Sequence, residues 1–175
     1  YVINTCSVTE NADKECKQLI RKVKKQNPNS TVVITGCYAQ LKSEEIAKIE
    51  GVDIVIGSGE KFNIVKHLNE YKKNGDAKIC SCDIDEIEGF HSSYSKNDRT
   101  RTFLKVQDGC DYFCSFCTIP LARGKSRNAS VAETVLEAEK IAKTDINEVV
   151  LTGVNIGDFG QGEGENFLDL IKELD

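Results

Sequence analysis

The chain has 175 residues, 39% of them hydrophobic and 29% charged, which is the composition of an ordinary globular protein and the length of one or two compact domains. No apolar run is long enough to span a bilayer and no leader of secretory type is present, so a soluble, cytoplasmic protein without a membrane partner is expected. A net charge of −5 excludes a global basic field that would gather nucleic acid; any RNA contact then falls to a local patch or to a part of the protein beyond this chain.

The sequence contains no methionine, opens inside an apolar strand pattern (Tyr1-Val2-Ile3) and closes inside a helical one (Phe167, Leu168, Ile171), so it reads as an internal piece of a longer protein. Tyr1 to Asn4 reads as the end of a strand. Thr9 can cap a helix running to about Gln26, which Asn27-Pro28-Asn29 stops. A β-branched strand follows over Thr31 to Thr35, then Gly36-Cys37 and a helix beginning near Ser43. Val52 to Ile56 reads as a third strand, and Lys61 to Lys73 as a third helix ending at Asn74-Gly75. Strand and helix alternate here, which predicts an α/β fold with a parallel sheet.

Between Asp83 and Asp98 the periodicity fails: Asp83, Asp85, Glu86 and Glu88 give way to Ser92, Ser93 and Ser95, the composition of a linker or surface crossing. Regular patterning resumes at Arg101, where Thr102, Leu104 and Val106 alternate along a strand ending at Asp108-Gly109. Ser130 and Glu133 form a capping-box pattern for a helix with Val131, Val135, Ala138 and Ala142 on one face. Val149-Val150-Leu151 reads as a buried strand followed by Gly153-Val-Asn155-Ile-Gly157-Asp158. In a parallel sheet the loops after both strands leave the edge where ligands bind, so the cysteine loop and the glycine loop are expected to be neighbours.

Cys110-Asp-Tyr-Phe-Cys114-Ser-Phe-Cys117 packs three thiols into that first loop. Three thiolates leave a four-iron cluster one ligand short of the all-cysteine form, which makes an open iron available for chemistry. Structural zinc is the alternative, and it ordinarily needs a fourth protein ligand. His91, in the linker, and His67, near the end of a surface helix, are poor candidates for that ligand. Cys6 and Cys37 each directly follow a strand, so two parallel strands would deliver both thiols to one sheet edge; two unrelated half-buried cysteines are the plainer alternative. Cys16 shares an apolar helical stripe with Ala12, Leu19, Ile20 and Val23 and reads as core. Cys80 and Cys82 admit a metal role, but strand-end alternation explains them equally. Arg123, Lys125 and Arg127 follow the cysteine loop closely enough to meet a carboxylate or an RNA phosphate, although charge runs are commonly solvated. The same ambiguity holds for the basic stripe Lys14, Lys17, Arg21, Lys24 and Lys25. Gly57-Ser-Gly59-Glu-Lys-Phe62 lacks the third glycine of a dinucleotide fingerprint and reads as a turn.

Three blocks of this sequence, Asn4-Thr-Cys6-Ser-Val, Gly36-Cys37-Tyr-Ala-Gln40 and Gln107-Asp-Gly-Cys110 through Pro120-Leu-Ala-Arg123-Gly124-Lys-Ser126-Arg127, together resemble the methylthiotransferases of the radical S-adenosylmethionine superfamily. Arg-Gly-Lys-Ser-Arg127 with Gly153 to Gly160 looks most like the group acting on threonylcarbamoyladenosine in tRNA. The resemblance implies a flavodoxin- or Rossmann-like amino-terminal domain (1–82), a linker (83–98) and the first part of a radical-S-adenosylmethionine partial TIM barrel (99–175).

It further implies a 4Fe-4S cluster on Cys110, Cys114 and Cys117 whose free iron takes the amine and carboxylate of S-adenosylmethionine, releasing a 5′-deoxyadenosyl radical that abstracts hydrogen. An auxiliary 4Fe-4S cluster would use Cys6, Cys37 and a third cysteine outside this chain. Gly153, Asn155, Arg123 and Arg127 are the expected cofactor-contacting residues, tRNA the expected partner, and a flavodoxin or ferredoxin the expected electron donor. Isopentenyladenosine in tRNA or a ribosomal-protein aspartate are the alternative substrates of the family, and a redox or zinc-stabilised binding module is the non-enzymatic alternative.

Overall fold

A computed structural model of the chain describes residues 1–6, 10–72, 75–87, 89–95 and 100–175. The expected cap Thr9, the Ser7-Val8 end of the first motif, the Lys73-Asn74 end of the third helix, and Glu88 and Asp98 lie outside these. Two compact units divide the chain, residues 1–87 with 121–123, and residues 88–120 with 124–175. No helix among the described residues is long and apolar enough to cross a membrane.

The first unit alternates β1 (Val2–Thr5), α1 (Glu10–Gln26), β2 (Val33–Gly36), α2 (Cys37–Leu41), α3 (Ser43–Ala47), β3 (Ile54–Ile56), α4 (Ile64–Glu70) and β4 (Lys78–Cys80). Its sheet runs β1-β2-β3-β4 with every pair parallel, the arrangement expected from the alternating pattern. The inner strands β2 and β3 are apolar on both faces because helices cover both. Ile3, Ile34 and Val55 share one face and pack with Cys16, Ile20, Val23 and Ile46, whereas Val33, Ile54 and Ile56 face Ile64, Tyr71 and Cys80. Cys16 is therefore core, as its stripe predicted, and burial raises the pKa of its thiol.

A further short helix, α2, begins directly at Cys37, where Gly36 turns the chain out of β2, and the helix expected near Ser43 follows as α3. Two local expectations change. The third helix stops at Glu70, where Tyr71 turns to extended backbone and its hydroxyl donates to Asp53 Oδ1 at 3.2 Å. His67 is buried rather than on a surface, and its Nε2 lies 2.8 Å from Glu60 Oε2. That hydrogen bond, helped by one from Asn63, holds the Glu60 carboxyl below its ordinary value of 4.5. Folded Glu60 is thus the stronger acid, so its contribution is complete above pH 4.5 and is lost as pH falls through the depressed value. Thermal melts should show the native chain losing stability below that pH more steeply than Glu60→Gln does.

Asp53 anchors the opposite end of the unit. Its Oδ2 accepts from Lys24 Nζ at 2.7 Å and Val32 N at 2.9 Å, so part of the basic stripe on α1 is structural. Lys17 is likewise paired, with Glu45 at 3.2 Å. Asp53→Ala leaves the partly buried Lys24 ammonium and the Val32 amide without this partner, and urea unfolding should show a loss of about 3–5 kcal/mol.

In the second unit, β5 (Ser93–Tyr94), inside the stretch expected to be irregular, pairs antiparallel with β6 (Arg101–Lys105), which pairs parallel with β9 (Glu148–Thr152). In sequence between β6 and β9 come β7 (Gln107–Asp108), α5 (Ile119–Arg123, whose residues 121–123 belong to the first unit), β8 (Arg127–Asn128) and α6 (Val131–Ala142); α7 (Phe167–Leu174) follows β9. Ser130 and Glu133 cap α6 reciprocally, as their spacing predicted. The core gathers Leu104, Val106, Ile141, Phe159 and Leu170. The strand expected to be buried, β9, is part-exposed in this chain, with Val149 at 40% exposure and β6 as its neighbour.

Candidate functional site

The register of β6 and β9 pairs Lys105 with Thr152, so the chain leaves both strands side by side. The cysteine loop extends from the Lys105 end and the glycine loop from the Thr152 end, the juxtaposition that a parallel pair predicts. The cysteine loop starts and finishes on the β7–β8 ladder, where Gln107 pairs with Asn128 and Asp108 with Arg127. Two further bonds close its base: Cys110 N donates to Gly124 O at 3.0 Å, and Ser126 N donates to Asp111 Oδ1 at 3.0 Å. Gly109, at φ +73°, lets the backbones touch, since a Cβ there would lie 1.9 Å from Lys125 O.

Within the loop, Cys117 N donates to Cys114 O at 3.0 Å, a turn that sets these two residues close together. All three cysteines are free; Cys114 is exposed and Cys110 and Cys117 are half-buried. Phe113 and Phe116 are among the most exposed apolar side chains, at 76% and 89%. Among the described residues no three His, Cys, Asp or Glu side chains already converge as a metal-binding set. The donor set nevertheless fits an iron–sulfur cluster by its chemistry, because three free, accessible thiols sit on a loop tied at its base and open above it.

Gln107, which motif reading singled out only as part of a block, is the hub of this region. It is 1% exposed. Its Oε1 accepts from the amides of Val154 and Asn155, both at 2.8 Å. Its Nε2 lies 2.8 Å from Gly109 O, 2.9 Å from Ser126 Oγ and 3.0 Å from Asp108 O. Gly153 is small for a reason seen here, since a Cβ would sit 3.0 Å from Gln107 Oε1. The strand alternation gave no signal for it, because Gln107 falls in phase with the outward positions Phe103 and Lys105, and its partners are mostly backbone groups that no motif names.

Asn155 donates from Nδ2 to Asp158 Oδ2 at 2.8 Å, and Tyr112 OH of the cysteine loop approaches Asp158 Oδ1 at 3.5 Å. Arg127 donates to Lys125 O at 2.9 Å and lies 3.6 Å from Asp108 Oδ2, which Lys105 also approaches at 3.3 Å. Its guanidinium therefore braces the loop base. Arg123 ends α5 and is half-buried.

In the first unit, Thr5 of β1 pairs with Gly36 of β2, so Cys6 and Cys37 are the residues that next leave two adjacent parallel strands. Cys6 is exposed and Cys37 half-buried. Cys80 sits on β4 with its thiol pKa raised by burial, and a Cβ on Gly59 would come within 2.4 Å of Cys82 Sγ. Gln40, three residues after Cys37, accepts from Ser58 N at 2.7 Å and donates to Cys82 O at 3.1 Å. The Gly57–Gly59 segment is thus a turn held by Gln40, in line with the turn its glycine spacing predicted.

Residues 1–57 match the family described as "Uncharacterized protein family UPF0004". Threonylcarbamoyladenosine tRNA methylthiotransferase MtaB of Aquifex aeolicus is 40% identical over 177 residues, covering 99% of this chain and 43% of that protein. The whole chain is similar to the methylthiotransferases. The Bacillus subtilis protein of the same name is 39% identical over 184 residues, with 100% of this chain and 40% of its own length aligned. A tRNA-2-methylthio-N(6)-dimethylallyladenosine synthase of Methylacidiphilum infernorum is 31% identical over 187 residues, 99% of this chain and 40% of that one. The resemblance read from the cysteine and glutamine motifs is borne out from end to end. The chain spans less than half the length of these curated relatives.

Proposed function

We propose that this chain is part of a tRNA methylthiotransferase that installs sulfur and a methyl group at a C–H position of threonylcarbamoyladenosine. The observation that carries the reading is a loop of three free thiols tied through Gln107 to the Gly153–Asn155 turn, in a chain 40% identical to the Aquifex aeolicus enzyme. Cys110, Cys114 and Cys117 would hold a 4Fe-4S cluster. The cluster and S-adenosylmethionine supply, when bound, the one-electron cleavage and hydrogen abstraction that side chains cannot perform. The chain's own share is placement: Gly109, Asp111 and Gln107 fix the loop base, and Asn155 and Asp158 shape the neighbouring turn.

Cys6 and Cys37 would contribute two ligands of an auxiliary cluster completed by a cysteine outside this chain. Residues 1–82 would form the amino-terminal domain, 83–98 the linker, and 99–175 the first part of a radical-S-adenosylmethionine partial barrel. Arg123, Arg127, Gly153 and Asn155 would border the cofactor. tRNA is the proposed partner, a flavodoxin or ferredoxin the electron donor and the cytoplasm the compartment. The 37–40% identity to four of the threonylcarbamoyladenosine enzymes, against 30–31% to the dimethylallyladenosine enzymes, favours this substrate.

The test is anaerobic incubation of the full-length protein with reductant, S-adenosylmethionine and tRNA bearing threonylcarbamoyladenosine. Mass spectrometry should detect 5′-deoxyadenosine and a nucleoside in which a methylthio group replaces hydrogen. Stoichiometric zinc in the protein with neither product would overturn the proposal.

A further inference from the structure

We infer that Gln107 is a positioning residue that locks the cysteine loop to the Gly153–Asn155 turn, so that a ligand shared by the two meets them in fixed register. This rests on the proposal that Cys110, Cys114 and Cys117 carry the cluster and that the shared ligand is S-adenosylmethionine.

The amide is used asymmetrically. A glutamine side chain offers an oxygen with two lone pairs and a nitrogen with two hydrogens. Here the oxygen serves only the glycine turn, taking the Val154 and Asn155 amides, both at 2.8 Å. The nitrogen serves only the cysteine-loop side, where Gly109 O at 2.8 Å, Ser126 Oγ at 2.9 Å and Asp108 O at 3.0 Å share its two hydrogens. Almost complete burial removes water as a substitute partner, so each end must be satisfied by the protein. The packing reinforces the polarity of the link, because Gly153 approaches the Gln107 side chain too closely to accept a Cβ without adjustment.

Two near-isosteric replacements separate the two ends. Glutamate keeps the acceptor oxygens for Val154 and Asn155 but, ionised, has no hydrogen for Gly109 O. Methionine keeps the length and loses both functions. Hydrogen exchange on the full-length protein should therefore show Gln107→Met accelerating exchange at Val154 and Asn155 about tenfold, the loss of one typical buried hydrogen bond. Gln107→Glu should leave those two amides near the native rate and loosen Cys110, whose amide bonds Gly124 O. Both variants should retain the native iron content after anaerobic reconstitution while binding S-adenosylmethionine about tenfold more weakly.

Equal acceleration at all amides in both variants, or unchanged affinity for S-adenosylmethionine in both, would refute the positioning role. Should the variants not fold, the native protein decides: adding S-adenosylmethionine must slow exchange at Cys110 and at Val154–Asn155 together, and a response in one loop alone overturns the link. Native protein that takes up no iron at the cysteine loop overturns the proposed function itself, an outcome distinct from iron uptake with uncoupled loops.

Discussion

Under the proposed function, replacing Cys114 with alanine in the full-length protein is expected to prevent iron loading of the loop and to abolish methylthiolation. With three cysteines available, none is redundant: two thiolates would have to hold a cluster that already accepts one ligand fewer than the all-cysteine form. Loss of a supporting outer-shell residue commonly costs about 10–100-fold in metal affinity or activity, and loss of a direct ligand here should exceed that. Cys110→Ala and Cys117→Ala should behave alike. Cys16→Ala is the informative control, because Cys16 is buried among Ile20 and Val23 in the core of the first unit. It should cost roughly 1 kcal/mol in a urea melt from lost packing and leave the iron content unchanged. Cys80→Ala and Cys82→Ala should also leave the loop iron in place. Iron analysis after anaerobic reconstitution, read beside electron paramagnetic resonance, distinguishes these outcomes. Equal iron in native protein and in Cys114→Ala would mean that the loop is not the cluster site.

Much of this site could be read in advance because the relevant signals are carried by side-chain identity. Ser130 and Glu133 announce the α6 cap, and the strand–helix alternation announces the parallel sheet whose adjacent strands lead into Cys6 and Cys37. The spacing of Cys110, Cys114 and Cys117 marks them as a candidate set. What stayed hidden depends on backbone partners. Gln107 bonds the main chain of Asp108, Gly109, Val154 and Asn155, and main-chain groups look the same in every sequence. Gln40 bonds Ser58 N and Cys82 O in the same way. Tyr71 leaves the helical pattern with its hydroxyl on the buried Asp53, a partner distant in sequence.

Gly109→Ala should produce the largest loss of stability from a single added carbon in the second unit, about 2–4 kcal/mol in a urea melt, together with impaired iron loading. Two costs combine. At φ +73° a non-glycine residue carries roughly 1–2 kcal/mol of torsional strain. The new Cβ would also stand 1.9 Å from Lys125 O and 2.7 Å from Gly124 O, so the returning strand must move away. That movement pulls Gly124 O from Cys110 N, now at 3.0 Å, and a typical hydrogen bond of this kind is worth about 0.5–1.5 kcal/mol. Gly162→Ala separates the two costs, for Gly162 has φ +86° but nothing within 4 Å of an added Cβ. It should show the torsional cost alone, with native iron content. Gly157→Ala, where the nearest atom would be Asn155 Oδ1 at 3.5 Å and φ is not positive, should cost less still. If Gly109→Ala matched Gly162→Ala in both stability and iron, the close approach of the loop's two ends would have no bearing on how its thiols are presented. The expected ordering instead ties cluster loading to the strand crossing at Gly109, the point from which all three cysteines are suspended.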